Sequence, residues 1–483
     1  MEYLIQNREP ISVFHFFEEI CAIPHGSFHE EKIADYLAAF AAERGIFCTR
    51  DRVNNIFMRL PASPDRAGEE PILFQGHTDM VCEKNGNVEH DFLKDPLSLY
   101  LDGDLLRARG TTLGGDDGIA VAMMLAILNG EIPSHPTIEC LFTTAEEVGL
   151  DGAKAFDYSQ VTATRMLNLD SEDLGIVTAG CAGGVRTDFT LSYRAIPLRG
   201  DCLQISVSGL AGGHSGADIT RGRANANRLM GNLLAELSQT QRLHLVSLEG
   251  GSKDNAIPRE CKATVALSDL QGAVQMLEKA EERIKKELSP EDSGFCLSVA
   301  PASPKSEMLN EEDTAHAIFI LTKVPIGVLA MSRQIPDLVE TSRNLGVVRS
   351  ENGSLTFVFS SRSSVEASLD AIQSELDAFA KKAACTARHY SRYPGWDYAP
   401  ESAIRKAYCA AYEKVTGKTA VVNVIHAGLE CGIIRSHLPD LDMISIGPDL
   451  REIHSPNEAL VLSSVEVFWQ TLKELIDSIN PNK

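Results

Sequence analysis

Leu73-Phe74-Gln75-Gly76-His77-Thr78-Asp79-Met80-Val81 decides how the chain is read. It begins as an apolar run after Pro71 and ends with His77 and Asp79, two residues apart. Such a run reads as a buried parallel strand. In open α/β sheets the chemistry lies beyond the carboxyl ends of such strands. Alternation along an extended segment turns His77 and Asp79 the same way. Imidazole suits borderline metals such as zinc, and a carboxylate two residues on can hold the imidazole's tautomer. The same pair also fits a hydrogen-bonded core histidine followed by a loop-capping aspartate. What decides is whether the rest of the chain supplies further ligands.

The chain has 483 residues, too many for one core, so at least two domains are expected. Its 44% hydrophobic and 23% charged content is that of a globular protein. A formal charge of -22 without a basic cluster argues against nucleic acid and against anionic membranes as partners. The eleven cysteines include no Cys-x-x-Cys pair, and Met1 to Pro10 has no secretory pattern. No apolar run approaches the ~20 residues of a membrane span. These features predict free thiols in a reducing, cytoplasmic setting.

Apolar spacing predicts a helix over Ile11 to Cys21. A second helix should follow Ser27 and Glu30, which have capping-box spacing, with Ile33, Leu37 and Phe40 on one face and Gly45 at its end. Strands are expected at Ile46 to Cys48 and Asn55 to Leu60, and a hairpin around Asp102-Gly103-Asp104. Thr111-Thr112-Leu113-Gly114-Gly115-Asp116-Asp117-Gly118 precedes an apolar helix, Ile119 to Leu128. Asp117 reads as its N-cap. Asp116, with no capping duty left, is a candidate metal carboxylate. Thr137 to Thr143 is a strand ending at Ala145-Glu146-Glu147, and Met166 to Leu169 a strand ending at Asp170. The adjacent acids Glu146 and Glu147 diverge, so one can ligate a metal while the other reaches its water. Gly175 to Gly184 reads as a Gly/Ala-rich link.

From about Thr187 the pattern changes to two successive runs of strands and helices. They suggest an α+β domain made of two ferredoxin-like halves. After Tyr393-Pro394-Gly395-Trp396 the first style returns: a helix at Ala403 to Thr416, a strand from Ala420 that leads to His426, and a loop carrying His454. The expected organisation is therefore a catalytic domain of residues 1–186 and 399–483 with residues 187–398 inserted.

His77, Asp116, Glu147, Asp170 and His454 thus gather at strand ends, with Asp79 and Glu146 behind them. Two imidazoles and three carboxylates suit two zinc ions sharing one carboxylate, about 3.5–4 Å apart. Five segments carry a family likeness: Gly76-His77-Thr78-Asp79-Met80-Val81, Gly114-Gly115-Asp116-Asp117-Gly118, Glu146-Glu147, Asn168-Leu169-Asp170 and Ile453-His454-Ser455-Pro456-Asn457-Glu458. Together they resemble the co-catalytic zinc metallopeptidases of the aminoacylase and carnosinase type.

That resemblance covers nearly the whole chain and implies an α/β fold, a zinc-exopeptidase-like mixed sheet flanked by helices with an inserted lid. It implies that Asp116 bridges two Zn2+, with His77 and Asp170 on one and Glu147 and His454 on the other. Co2+ or Mn2+ would substitute. Asp79 would orient His77, and Glu146 would serve as general base for attack by a metal-bridging hydroxide. Gly212-Gly213-His214-Ser215-Gly216 resembles the family's lid motif, making His214 the oxyanion stabiliser, in its own chain or across a homodimer. Asn255, Arg362 (pairing with a terminal carboxylate) and Glu430, in His426-Ala427-Gly428-Leu429-Glu430, are the implied substrate-binding residues. Asp117 stands where some relatives have asparagine, and Ala145 where some have an acid. The implied activity is a cytosolic dipeptidase for small peptides, aminoacyl-histidine including β-alanyl-histidine. Alternatives are an N-acyl amino acid amidohydrolase or tripeptidase on the same site, or a non-catalytic metal- or peptide-binding module.

Overall fold

The Leu73–Val81 stretch begins in the strand Ile72–His77, whose six residues are all buried. Burial on both faces is why it reads as an apolar run without alternation. The computed structural model describes residues 2–198, 200–302, 306–333, 335, 337–351 and 353–479. The strand sits inside an eight-stranded sheet in the order Phe47–Arg50, Ile56–Leu60, Ile138–Thr143, Ile72–His77, Arg165–Asn168, Asp442–Ser445, Ile176–Cys181, Val421–Ile425. The four central strands, from Ile138–Thr143 to Asp442–Ser445, run parallel. Ile56–Leu60 and Ile176–Cys181 pair with them antiparallel. Because His77 lies opposite Thr143 and Gln75 opposite Asn168, the segments carrying Asp79, Glu146 and Asp170 leave the sheet on one edge.

Helices cover this sheet. Ile11–Cys21 packs on Gly115–Ala126, which is buried along its whole length. Leu462–Ser478 packs on Ala403–Thr416. Phe14, Phe17, Phe74, Phe142, Phe468 and Trp469 belong to the shared core. The helix after Gly26 runs Glu31–Arg44, burying Ile33, Leu37 and Phe40 and ending at Gly45 with φ 66°. It has no side-chain cap. Ser27 and Glu30 do not form a capping box: their side chains bond to Asp79 and to the Ala145 amide instead. True caps occur elsewhere, as where Ser402 accepts from the Arg405 N–H.

Two compact units divide the chain. The first comprises Met1–Cys181, Asp397–Val424 and Leu429–Lys483, and the second Ala182–Trp396 with Ile425–Gly428. The expected division at residues 187 and 399 did not include the short return at Ile425–Gly428. The second unit is built on a nine-stranded sheet whose pairings are antiparallel. One half contributes Cys296–Pro301, Asp201–Ser208, Cys261–Leu267 and Leu243–Gly250. The other contributes Val339–Glu351, Ser354–Ser363, Gly183–Ser192 and Thr386–Tyr393, with Gly327–Met331 beside the first of these. The halves meet where Gly250 lies opposite Val348. Ala226–Thr240, Leu270–Glu287, Glu311–Lys323 and Glu366–Lys382 bury their apolar stripes in a separate core.

Gly175 to Gly184 is not a link. It supplies the strand Ile176–Cys181 and the start of Gly183–Ser192, where small residues allow close packing against Tyr393, Pro394 and Gly395. Among the described residues no helix is long and apolar enough to cross a membrane. Among the described residues no two cysteines form a disulfide.

Candidate metal centre

The strand end of Ile72–His77 aims His77 at two carboxylates. Its Nε2 lies 3.1 Å from Asp116 Oδ1 and 3.5 Å from Asp170 Oδ1. Its Nδ1 lies 2.9 Å from the Asp79 carbonyl oxygen and 3.5 Å from Asp79 Oδ1. The other oxygen of Asp116 faces a second imidazole: His454 Nε2 is 3.1 Å from Asp116 Oδ2 and 2.9 Å from Glu147 Oε1. His77, Asp116 and Asp170 therefore form one group of potential ligand atoms, all within 4.8 Å of one another. Asp116, Glu147 and His454 form another, and His77, Glu146 and Glu147 a third. His454 sits on a loop at φ 60°, a left-handed conformation that a non-glycine residue keeps only when its surroundings hold it.

The cluster is short of positive charge. Among the described residues no lysine or arginine pairs with Asp116, Asp117, Glu146, Glu147 or Asp170. Burial raises the Asp170 carboxyl to about 7, although His77 opposes the shift. Burial also pushes Glu146 and Asp117 well up, and Asp170 repels both. Burial alone would lower the His77 imidazole, but Asp170, Asp116 and Asp79 overcome that and raise it well above its ordinary value. Hydrogen bonds to Asp116 and Glu147 carry His454 up to about 11. Carboxylates buried together with no lysine or arginine among the described residues to pair them make a setting that favours bound cations. Nitrogen and oxygen donors at these separations could hold divalent metal ions.

The backbone behind the donors is pinned by side chains. Asp79 accepts from the Glu146 N–H at 3.0 Å and the Glu147 N–H at 3.3 Å. Glu458, the last residue of the Ile453–Glu458 motif, is buried beside the approach to Asp116. It accepts from the amides of Leu113, Gly114, Gly115 and Asp116 at 2.7, 3.1, 2.8 and 3.4 Å. Sequence reasoning assigned Glu458 no task, although it stood in a quoted motif. Asp117 does not cap the helix: its Oδ2 is turned away from the helix amides and accepts from the His77 N–H at 3.2 Å.

Glu430, expected to bind substrate, has its side chain turned into the sheet. It is fully buried, and its Oε2 accepts from Gln75 Nε2 and Thr143 Oγ1, each at 2.6 Å. Asn168 extends this network to Gln75 at 2.7 Å. Glu430 thus braces the central strands beneath the site, and burial raises it to about 7. The network escaped the sequence reading because polar residues inside an apolar strand carry no pattern of their own.

The second unit gathers the remaining candidates. The two-residue strand Gly213–His214 pairs with Ala256–Ile257, and the Ser215 N–H donates to the Asn255 carbonyl at 2.8 Å. The Gly216 and Ala217 amides donate to His214 Nδ1 at 3.3 and 3.0 Å. Arg362 is 8% exposed and pairs with no carboxylate among the described residues. Its guanidinium donates to Tyr393 Oη at 2.9 Å and comes within 3.4 Å of His214 Nε2. His426 Nε2 lies 2.7 Å from Ser342 Oγ. Burial, then Arg362, lowers both imidazoles, His426 to about 4. Tyr393 was read only as part of a domain link.

Comparisons with known proteins bear on this geometry. The model of peptidase family M20/M25/M40 matches residues 73–478. The chain is 37% identical over 481 residues to the cytosol non-specific dipeptidase of Escherichia coli (strain K12), covering 98% of this chain and 99% of that protein. It superposes on the crystal structure of aminoacylhistidine dipeptidase from Vibrio alginolyticus with a TM-score of 0.90 and 36% identity, covering 98% of this chain and 97% of that one. Aminopeptidase PepT from Bacillus cereus ATCC 10987 shares the fold at a TM-score of 0.55 and 16% identity, over 96% and 98% of the two chains.

Proposed function

The chain belongs to peptidase family M20/M25/M40, and from that premise we propose that it is a cytosolic dipeptidase using two zinc ions, with aminoacyl-histidine peptides such as β-alanyl-histidine among its substrates. The names of two relatives alike over nearly their full lengths support the substrate class. One observation carries the metal reading: Asp116 turns one oxygen to His77 and the other to His454, so two donor groups share it. His77 and Asp170 would hold one ion, Glu147 and His454 the other, and Asp116 both. Ions held there would supply Lewis acidity toward a peptide carbonyl and acidify a water molecule. Cobalt or manganese suits the same donors.

The remaining steps belong to the chain's own residues. Glu146 takes a proton from the attacking water and passes it to the leaving amine. Asp79 keeps the Glu146–Glu147 turn in place through two amides. His214 carries its ring proton on Nε2, because Nδ1 accepts from two backbone amides. That N–H faces the Arg362 guanidinium at 3.4 Å, two donors with no acceptor between them. An oxyanion or terminal carboxylate is the acceptor such a pair calls for. The roles assigned are therefore oxyanion stabilisation for His214, carboxylate recognition for Arg362 and substrate contact for Asn255.

The test is Glu146→Gln. This variant should retain its metal and lose about a thousandfold or more in kcat on β-alanyl-histidine, the range expected of a lost general base. Wild-type turnover by Glu146→Gln would remove the assigned base. A panel of dipeptides, tripeptides and N-acyl amino acids, assayed with zinc, cobalt and manganese, decides the substrate. Faster hydrolysis of N-acyl amino acids would replace the dipeptidase reading with an amidohydrolase.

A further inference from the structure

We propose that Glu30, assisted by Ser27, is a positioning residue for Glu146. From the start of an otherwise uncapped helix the two side chains hold the turn that carries the base. The proposal rests on the reading of Glu146 as general base.

Four successive amides of this turn are met by side-chain oxygens. The Thr144 N–H donates to Asn55 Oδ1 at 3.1 Å, and the Ala145 N–H to Glu30 Oε1 at 3.0 Å. The Glu146 and Glu147 amides donate to the two oxygens of Asp79. Ser27 Oγ donates in turn to Asp79 Oδ2 at 2.7 Å. On the carbonyl side, Thr144, Ala145 and Glu146 accept from the amides of Gly152, Asp151 and Leu150. The turn is thus anchored at both edges, directly by Glu30 and through Asp79 by Ser27, from a segment more than a hundred residues away in sequence.

Ala145 is where the anchoring matters most. Its φ is 49°, in the left-handed region that alanine leaves unless it is held. Glu30 grips the amide of Ala145, the residue immediately before the base. Glu30 is buried and makes no ion pair among the described residues. A helix start with a capping-box sequence would ordinarily spend these side chains on its own amides. Here the helix Glu31–Arg44 has no side-chain cap: Glu30 goes to the turn and Ser27 to Asp79, which holds the next two amides.

Without Glu30 the chain before Glu146 relaxes toward ordinary φ, and the carboxylate drifts from its working position. Displacements of this size cost about a hundredfold in rate. Glu30→Ala should therefore lower kcat by about that factor while KM stays within about threefold. Metal content per chain should match wild type. In Glu30→Gln the amide oxygen can accept the same bond, so most of kcat should return. Hydrogen–deuterium exchange of a peptide spanning residues 141–150 should speed up in Glu30→Ala and stay slow in Glu30→Gln. If Glu30→Ala does not fold, Ser27→Ala decides, with an expected several-fold fall in kcat and faster exchange of the same peptide. Unchanged kcat, unchanged exchange, or metal loss in proportion to activity would overturn the proposal. Glu146→Gln run alongside separates the two readings: activity there removes the base, whereas exchange still reports whether Glu30 holds the turn.

Discussion

Gly76 leaves no room for a side chain. A Cβ there would lie 2.5 Å from Asp117 Oδ2 and 2.9 Å from Ala120 Cβ. Gly76→Ala should therefore push Asp117 off the His77 amide, costing about 1–3 kcal/mol by overpacking and lowering metal affinity, as read by urea denaturation and metal titration. At His426 the expected effect is on pH dependence. Its folded pKa of about 4 lies below the ordinary value of 6.5, so between these values the unfolded chain binds more protons. Stability contributed by neutral His426 is then present above pH 6.5 and lost as pH falls toward 4. His426→Gln lacks that loss, so from pH 7 to pH 5 it should gain about 2 kcal/mol relative to wild type, measured by urea denaturation of both proteins at both pH values. Residues of this scale were unevenly legible. His77, Asp116, Glu146, Glu147, Asp170 and His454, which the fold brings together, stood out as imidazoles and carboxylates at strand ends and in the loops beyond them. Ser27 and Glu30 were misread because i, i+3 spacing before a helix has the same sequence form whether the side chains cap it or reach elsewhere. Only the fold brings residue 145 beside residue 30.

At the scale of elements, Gly115–Ala126 is a buried helix whose first turn is controlled from outside it. The backbone of Asp116 and Asp117 is non-helical, and Glu458 takes up the four amides that lead into the turn. Glu458→Ala strands these buried donors. Hydrogen bonds to a charged group contribute about 1.5–3 kcal/mol each at most, and not additively. A loss of about 3 kcal/mol in denaturant stability, with weakened metal binding as Asp116 loses its aim, is the expected result. Glu458→Gln, keeping one acceptor oxygen, should lose less. Wild-type stability and metal affinity in Glu458→Ala would show that the four bonds are dispensable. The long amphipathic helices were readable in the sequence, Ile11–Cys21 and Ala403–Thr416 to the residue, because apolar spacing records the buried face directly. The strands Ile176–Cys181 and Gly183–Ser192 were hidden by glycine and alanine, which at Gly183 and Gly184 allow close packing against Tyr393 and Pro394 but which read as a link. Strand order left no local trace either. It depends on which buried faces meet, and residues 138–143, 72–77, 165–168 and 442–445 become neighbours only through crossovers.

At the scale of the molecule, the two units have separate cores, and every proposed metal donor belongs to the first. Return of the chain to that unit after Trp396 was legible from the reappearance of its sequence style. The excursion Ile425–Gly428 was not, because four residues carry no style. This division sets an expectation for metal removal. In the metal-free first unit, buried carboxylates repel one another or take up protons, so cations bind its folded form and not its unfolded one. At a free metal concentration about a hundredfold above Kd, binding adds about 2.7 kcal/mol, or about 5–10 °C for a unit of this size. The second unit contributes no proposed donor and has no reason to respond. Scanning calorimetry should therefore resolve two transitions with zinc present, one of which moves down by that amount when a chelator is added. Glu146→Gln, which keeps the donors, should show the same shift, whereas Asp116→Asn, which removes the shared one, should melt near the chelated position with or without zinc. Equal movement of both transitions, or a full zinc shift in Asp116→Asn, would count against a shared carboxylate holding both ions.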